Sequence, residues 1–175
     1  MYEELIQKTQ GYWDIEDLEL LEEIETTLQF DSFSVTDAMS IGRMFYEEGV
    51  KQEGESVFCV VREADENVIV QIIGDSKAQR NIGFAMGKRN TVLATGHSSL
   101  WAMVKKSVTG ECDVVFDEGS TCLPAGGAYP VYVNGEHKYT LATSGLHNGL
   151  DHLVLIDVLS KYLNKPVPKW DKPAI

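Results

Sequence analysis

Asp151 and His152 stand side by side where the last apolar helical pattern of the chain begins, and their types invite acid–base or ligand chemistry. On a wheel at about 100° per residue, Asp157, Ser160, Lys161 and Asn164 form a polar sector. Val154, Leu155, Ile156, Val158, Leu159, Tyr162 and Leu163 fill the rest. Asp151 and His152 fall inside the apolar sector, in the first turn. The helix dipole favours an anionic Asp there and disfavours a protonated His. His152 is therefore expected to be neutral at pH 7, the state that can ligate a metal. The ordinary alternative is that Asp151 caps the helix and His152 hydrogen-bonds in a core or an interface.

Other groups are more scattered. His97 shares a helical face with Leu93, Leu100, Trp101 and Val104; such a histidine is commonly a satisfied core or edge residue and more rarely a ligand. His137 follows a turn and is expected at the surface, and His147 lies in a Gly-Leu-His-Asn-Gly loop. Lys88 and Arg89 could hold a carboxylate or propionate, with Ser98 and Ser99 as hydroxyl donors. A solvated helix face is the alternative for at least one of these two cations. Neither H-x-x-x-H, H-E-x-x-H nor paired cysteines occur, so no zinc site is expected. G-x-S-x-G, P-loop and dinucleotide patterns are also missing.

The elements that must position these groups can be read in order. Residues 14 to 29 carry an apolar stripe (Ile15, Leu18, Leu21, Ile24, Leu28), with Glu16, Asp17, Glu19, Glu22 and Glu23 as a solvated face. Ser34 and Asp37 resemble a capping arrangement for a second helix with Val35, Ala38, Met39, Gly42 and Phe45 inward, ending near Gly49. Phe30 and Phe33 are expected to pack in the link. Ser56–Glu63 and Val68–Ile73 read as a hairpin. Asp75-Ser76 could cap a helical segment from about Ala78 to Lys106, divided at Gly96. Gly83, Gly87, Thr91 and Ala94 give that segment a small-residue stripe suited to close packing. Thr109–Thr121 reads as a loop with a possible short strand at Val114–Phe116. A second hairpin turns at Asn134-Gly135, a pair suited to a type I′ turn, and the last helix spans about Gly149 to Leu163. In the Pro-rich tail, about 165–175, Trp170 is positioned to dock on the body or on a neighbouring subunit. Hairpins without βαβ units mean an antiparallel sheet with helices on both faces, an α+β fold.

Composition narrows the partners. With 175 residues and 43% hydrophobic content the chain is expected to form a single domain. A net charge of −12 disfavours nucleic acid and anionic membrane surfaces. No apolar run approaches the roughly 20 residues of a spanning helix. The acidic start, together with three cysteines in no C-x-x-C spacing, points to the cytoplasm.

The run PAGGAYPVYVNGEHKYTLATSGLHNGLDHLVLIDVLSKYL resembles the closing segment of the UPF0303 family. Its most specific piece is Ser144-Gly145-Leu146 with Asp151-His152 at fixed spacing. Upstream, FSVTDAMSIG matches the family's helix entry, and KRNTV followed by Ser98-Ser99 its central helix. The resemblance spans about Phe30 to Leu163. Ala125 stands where the family often has His, and FAMG where it has a tryptophan. The family is similar to the GlcG, HbpS and PduO C-terminal group of haem-binding or haem-degrading proteins. The resemblance implies a profilin-like three-layer α/β/α core with a five-stranded antiparallel sheet, a homo-oligomer built from dimers, and haem as a ligand. An axial ligand could then come from His152, with His97 and His147 behind it. A pocket is expected from Gly126, Gly127, Ser144, Gly145, Asp151 and His152, with Lys88 and Arg89 meeting acidic groups of a flat ligand. The rival expectation is a non-enzymatic assembly module whose SGL…DH segment builds subunit interfaces.

Overall fold

The computed structural model describes residues 12–52, 54–111, 121–146, 150–170 and 172. Helix α1 (Ile15–Thr27) opens in a reciprocal cap. The Asp17 amide donates to Asp14 Oδ1 at 3.1 Å and the Asp14 amide to Asp17 Oδ2 at 2.8 Å. Helix α2 (Val35–Gln52) is capped as expected, with the Ser34 amide donating to Asp37 Oδ2 at 2.6 Å. Its inward residues are Ala38, Ile41, Gly42 and Phe45. Met39, expected inside, is 60% exposed. The helix also passes Gly49, which is buried beside Leu146 and serves close packing, not termination.

Strands β1 (Val57–Arg62) and β2 (Asn67–Ile73) form the first hairpin. Helix α3 (Gln79–Thr95) begins at Ala78, whose amide donates to Asn81 Oδ1 at 3.2 Å. Asp75-Ser76 does not cap it; the Ser76 amide donates instead to Glu55 Oε2. Gly96 divides the segment as expected, in the left-handed conformation at φ 73°. Ser98 then caps helix α4 (Ser99–Thr109) by accepting from the Trp101 amide. Strands β3 (Ala128–Val133) and β4 (Glu136–Ser144) turn at Asn134 and Gly135, both with positive φ. Helix α5 is Leu150–Leu163. The possible strand at 114–116, Cys112, His147 and the start of the last helix at Gly149 lie outside the described residues.

The sheet is antiparallel in the order β2-β1-β4-β3, so the described residues form four strands and not the five expected. At the outer edge of β3 the described residues make one bridge, Phe30 to Val133, with the Phe30 amide donating to Tyr132 O at 3.1 Å. The segment cannot lengthen into a strand. Phe33 turns in against Phe30 and Tyr139, and Ser34 already starts α2.

Alternate residues of β1 serve different clusters, following the period of two along a strand. Phe58 and Val60 pack with Ile41 and Phe45 of α2 and Leu155 and Leu159 of α5. Val57 and Cys59 pack with Ala85 and Val92 of α3 and with Ala128 and Ala142. A third cluster joins Trp13, Leu18 and Leu21 to Leu100, Met103 and Val104 of α4 and to Trp170. Trp170 thus docks on the body, and Lys172 beside it pairs with Asp17 of α1.

A Cβ at Gly42 would lie 2.8 Å from Phe58 Cε1 and 3.0 Å from Ile72 Cδ1. Overpacking costs about 1–3 kcal/mol, while the helix gains about 1 kcal/mol from alanine. Gly42→Ala is expected to lower the unfolding free energy by a net of about 1 kcal/mol, read as a lower urea midpoint with an unchanged m-value. An equal or higher midpoint would show that the α2–β1 contact is loose.

Candidate functional site

Asp151 is the point where the SGL…DH segment closes. Its Oδ2 accepts from the Gly145 amide at 3.2 Å and faces Lys88 Nζ at 3.4 Å. Its Oδ1 accepts from the Leu146 amide at 3.3 Å. The Ser56 hydroxyl lies 3.1 Å from Asp151 Oδ1 and 2.9 Å from Ser144 O, and can donate to only one at a time. Asp151 therefore gathers the loop before its helix and the start of β1, which a simple helix cap would not do. Lys88 reaches across from α3 and also donates to Thr143 O at 3.0 Å. Both partners are nearly sealed, with side chains 7% and 5% exposed.

Burial pushes the Lys88 ammonium below its ordinary range, and the Asp151 carboxylate opposes that shift. Gly127 allows the approach. At φ 129° it occupies backbone space that side chains avoid, and a Cβ there would lie 2.8 Å from Lys88 Nζ. Gly126 is buried next to it. Gly145 O accepts from Lys77 Nζ at 2.9 Å. Arg89 is also buried, and it is held by Glu63 and by Glu66 Oε1 at 3.2 Å, which raise its pKa. Neither cation lies on a solvated face, and each meets a carboxylate of this same chain.

His152 is 1% exposed, and both ring nitrogens lack a hydrogen-bond partner among the described residues. Burial, reinforced by the Lys88 charge, lowers its pKa to about 3. The imidazole is neutral at pH 7, as the sequence predicts, with burial as the leading cause. His137 is half-buried with Nε2 3.0 Å from Thr140 Oγ1, and burial lowers its pKa.

His97 sits elsewhere, in the turn between α3 and α4. Its Nδ1 is 2.7 Å from Glu25 Oε2, and the other oxygen of Glu25 accepts from the Ser98 amide at 2.8 Å. Its ring stacks on Trp101 with centroids 3.9 Å apart and planes 14° from parallel. The Trp101 indole donates to Glu22 Oε1 at 2.9 Å. Burial works against protonation of His97, but Glu25 outweighs it and raises the pKa. Beside this group is a cleft of about 360 Å³ lined by residues that include Glu22, Glu25, His97, Pro130 and Tyr132. Another, of about 400 Å³, runs between α5 and the tail along Leu153, Asp157, Val167 and Trp170. Neither is lined by Lys88, Asp151 or His152.

Sequence reasoning missed three of these residues. Ser56 lies 95 residues from Asp151 and Thr143 lies 55 residues from Lys88, both in extended segments where no local pattern marks them. Glu25 was legible in principle: it is four residues after Leu21 and three before Leu28, on the apolar stripe of α1.

The sequence profile described as haem degrading protein HbpS-like matches residues 33–160. The chain belongs to this HbpS-like family. It is 29% identical over 153 residues to a UPF0303 protein of Rhizobium etli, covering 85% of this chain and 91% of the relative. A UPF0303 protein of Rhizobium leguminosarum bv. trifolii is 29% identical over 154 residues, covering 86% and 91%. Among solved structures, the Ybr137w protein superposes with a TM-score of 0.73 at 22% identity, covering 84% of this chain and 87% of its own. The PduOC:heme complex gives 0.64 at 16%, covering 79% and 99%, and HbpS gives 0.60 at 16%, covering 77% and 92%. At these identities the likeness is one of fold.

Haem is the group that the family description implies, and two histidines can be tested against it. His152 does not fit, because its ring is enclosed and lines neither cleft. Gly127, the backbone cradle nearby, is occupied by Lys88 Nζ. His97 has a carboxylate on Nδ1, which orients an imidazole and raises the basicity of Nε2, but the cleft it lines carries Glu22 and Glu25 and no lysine or arginine, so it does not fit an anionic macrocycle.

Asp151→Ala would leave Lys88 buried beside a lost charge, which costs about 3–5 kcal/mol. The Lys88→Met, Asp151→Leu double variant is expected to cost less than Asp151→Ala alone in urea unfolding. A larger loss in the double variant would mean that the pair itself is net stabilising. His152 also has a pH signature. Below the unfolded value of 6.5 the unfolded chain takes up a proton that the folded ring refuses until about 3, so stability falls as pH drops through that window. Urea midpoints of His152→Leu are expected to fall less steeply between pH 6.5 and 4 than those of the wild type. Parallel profiles would place the histidine in a solvated setting.

Proposed function

We propose that this chain is a small-ligand-binding protein of the HbpS-like family, acting as one cytoplasmic domain in a homo-oligomer, with haem or another flat anionic cofactor as ligand. The observation that carries this reading is the family match over residues 33–160. The PduOC relative, described as a haem complex, shares the fold and supports the choice of haem. Bound haem would supply an iron centre able to react with oxygen. Degradation of the macrocycle would need oxygen and a reductant besides, and stands as a further step. The profilin-like three-layer arrangement belongs to the same reading, supported by the two sets of residues that β1 contributes to different clusters.

The Lys88–Asp151 pair and the glycines around it serve in this reading to hold the loop, not to touch the ligand. The mutual neutralisation of Lys88 with Asp151, and of Arg89 with Glu63 and Glu66, supports that assignment. A second reading, assembly without a ligand, is favoured by exposed apolar side chains on β2 and α3. Val68, Ile73, Phe84 and Leu93 are 42–47% exposed, and subunit contacts would use these and not the enclosed SGL…DH segment.

Adding haemin to the wild-type protein is expected to give a saturable Soret band. No shift at any ratio would remove haem from the account. The double variant Phe84→Ser, Leu93→Ser is expected to lower the mass seen by light scattering without loss of helical signal. An unchanged mass would move the contact surface away from α3.

A further inference from the structure

We propose that two copies of this chain pair through the outer edge of β2 about a twofold axis, joining their sheets and setting the two α2 helices flank to flank. The inference rests on the homo-oligomer proposed above and gives its contact a place.

The edge itself is open. β2 pairs with β1 on one side only, and the Gly74 amide just beyond it donates inward to Ser56 O at 3.1 Å. Hydrogen-bonding direction alternates along a strand, so Gln71 and Ile73 turn their backbone groups outward, where the described residues offer them no partner. The strand, Asn-Val-Ile-Val-Gln-Ile-Ile, holds neither a charged residue nor a proline, two of the devices that keep an edge from pairing. Its bulge at Ile69 leaves residues 70–73 regular. Val68 and Ile73 add apolar side chains that are 47% and 44% exposed.

The helix above the edge carries a matching flank. α2 lies between α5 and β2. Asp37 and Glu48 mark its α5 side, the first accepting from the Tyr162 hydroxyl at 2.6 Å and the second lining the cleft along α5. On the opposite flank, over the edge of β2, Val35, Met39, Tyr46 and Val50 form a stripe at helical spacing. Val35, Met39 and Val50 are 49%, 60% and 50% exposed.

A second copy of this chain is the occupant that fits. A net charge of −12 makes copies repel each other, but β2 is uncharged, and Arg43 beside the stripe pairs with Glu47 at 2.9 Å. An antiparallel strand is its own complement about a twofold axis, as an isologous contact requires, and the same axis brings each α2 stripe to its counterpart. Among the described residues the other end of the sheet is covered: Phe30 bridges β3, and Pro130 in that strand has no amide to offer. With one open edge the contact closes at two copies and does not run on into a filament. Met39, outside the core of one copy, is buried in the pair.

The test is light scattering of the full chain, with hydrogen exchange read at the Gln71 and Ile73 amides and circular dichroism to monitor folding. Met39→Glu sets like charges against each other across the axis at a position outside the core. Gln71→Pro deletes an outward amide and leaves the ladder to β1 in place. Each is expected to lower the mass about twofold with an unchanged helical signal. In Met39→Glu the two amides are expected to exchange about tenfold faster than in the wild type, having lost their partners. Unchanged mass in both variants, with dissociation in Phe84→Ser, Leu93→Ser, would overturn this contact and leave assembly intact. Fast exchange at both amides in an oligomeric wild type would overturn it as well. A monomeric wild type would remove the homo-oligomer itself, and this contact with it.

Discussion

The buried ion pair between Lys88 and Asp151 ties together segments that are far apart in sequence. Lys88 comes from the middle of α3, Asp151 from the first turn of α5, and the carboxylate also gathers the amides of Gly145 and Leu146 and the hydroxyl of Ser56. Removing two charges from water is costly, and their attraction offsets that cost only if the remaining donors and acceptors are satisfied. Here Thr143 O accepts from the lysine, and the amides of Gly145 and Leu146 donate to the carboxylate, with the Ser56 hydroxyl shared between Asp151 Oδ1 and Ser144 O. The glycines follow from this constraint. Gly127 must lack a side chain because the ammonium occupies the space a Cβ would take.

That constraint changes the meaning of the segment. A motif dense in glycine, carboxylate and imidazole has the composition of a binding site, yet the charged groups of its described residues are engaged within the chain. His152 is the exception within it, a neutral ring held without a hydrogen-bond partner among the described residues. Leaving buried donors and acceptors unmet costs stability, and in exchange the first turn of α5 packs without introducing another charge beside Lys88. The turn between α3 and α4 differs, for there Glu25, His97 and Trp101 flank an open cleft.

Helix α1 deserves its place in that account. Its acids do not all form a solvated face: Asp17 takes part in the N-terminal cap and pairs with Lys172, Glu22 binds the Trp101 indole, and Glu25 binds His97. The helix is held on α4 by Leu18 and Leu21 from below and by these carboxylates from the side. It lies wholly before the matched family segment, which begins at residue 33. The orienting carboxylate of the cleft therefore comes from outside that segment.

The sequence by itself determined the hairpins, the α+β class, the inward placement of Asp151 and His152 and the neutrality of that histidine. These follow from local rules: strand alternation, the Asn-Gly turn, helical periodicity and the free energy of burying a charge. It also carried the family resemblance, because the SGL…DH spacing is a linear pattern. Only the tertiary structure decided that Lys88 and Arg89 are spent on internal carboxylates and that, among the described residues, the edge of β3 receives one bridge, from Phe30. It alone joined Glu25 to His97. Such pairings depend on which side chains meet at sequence separations of 63 or 72, and no periodicity or propensity encodes a distance that long-range packing creates.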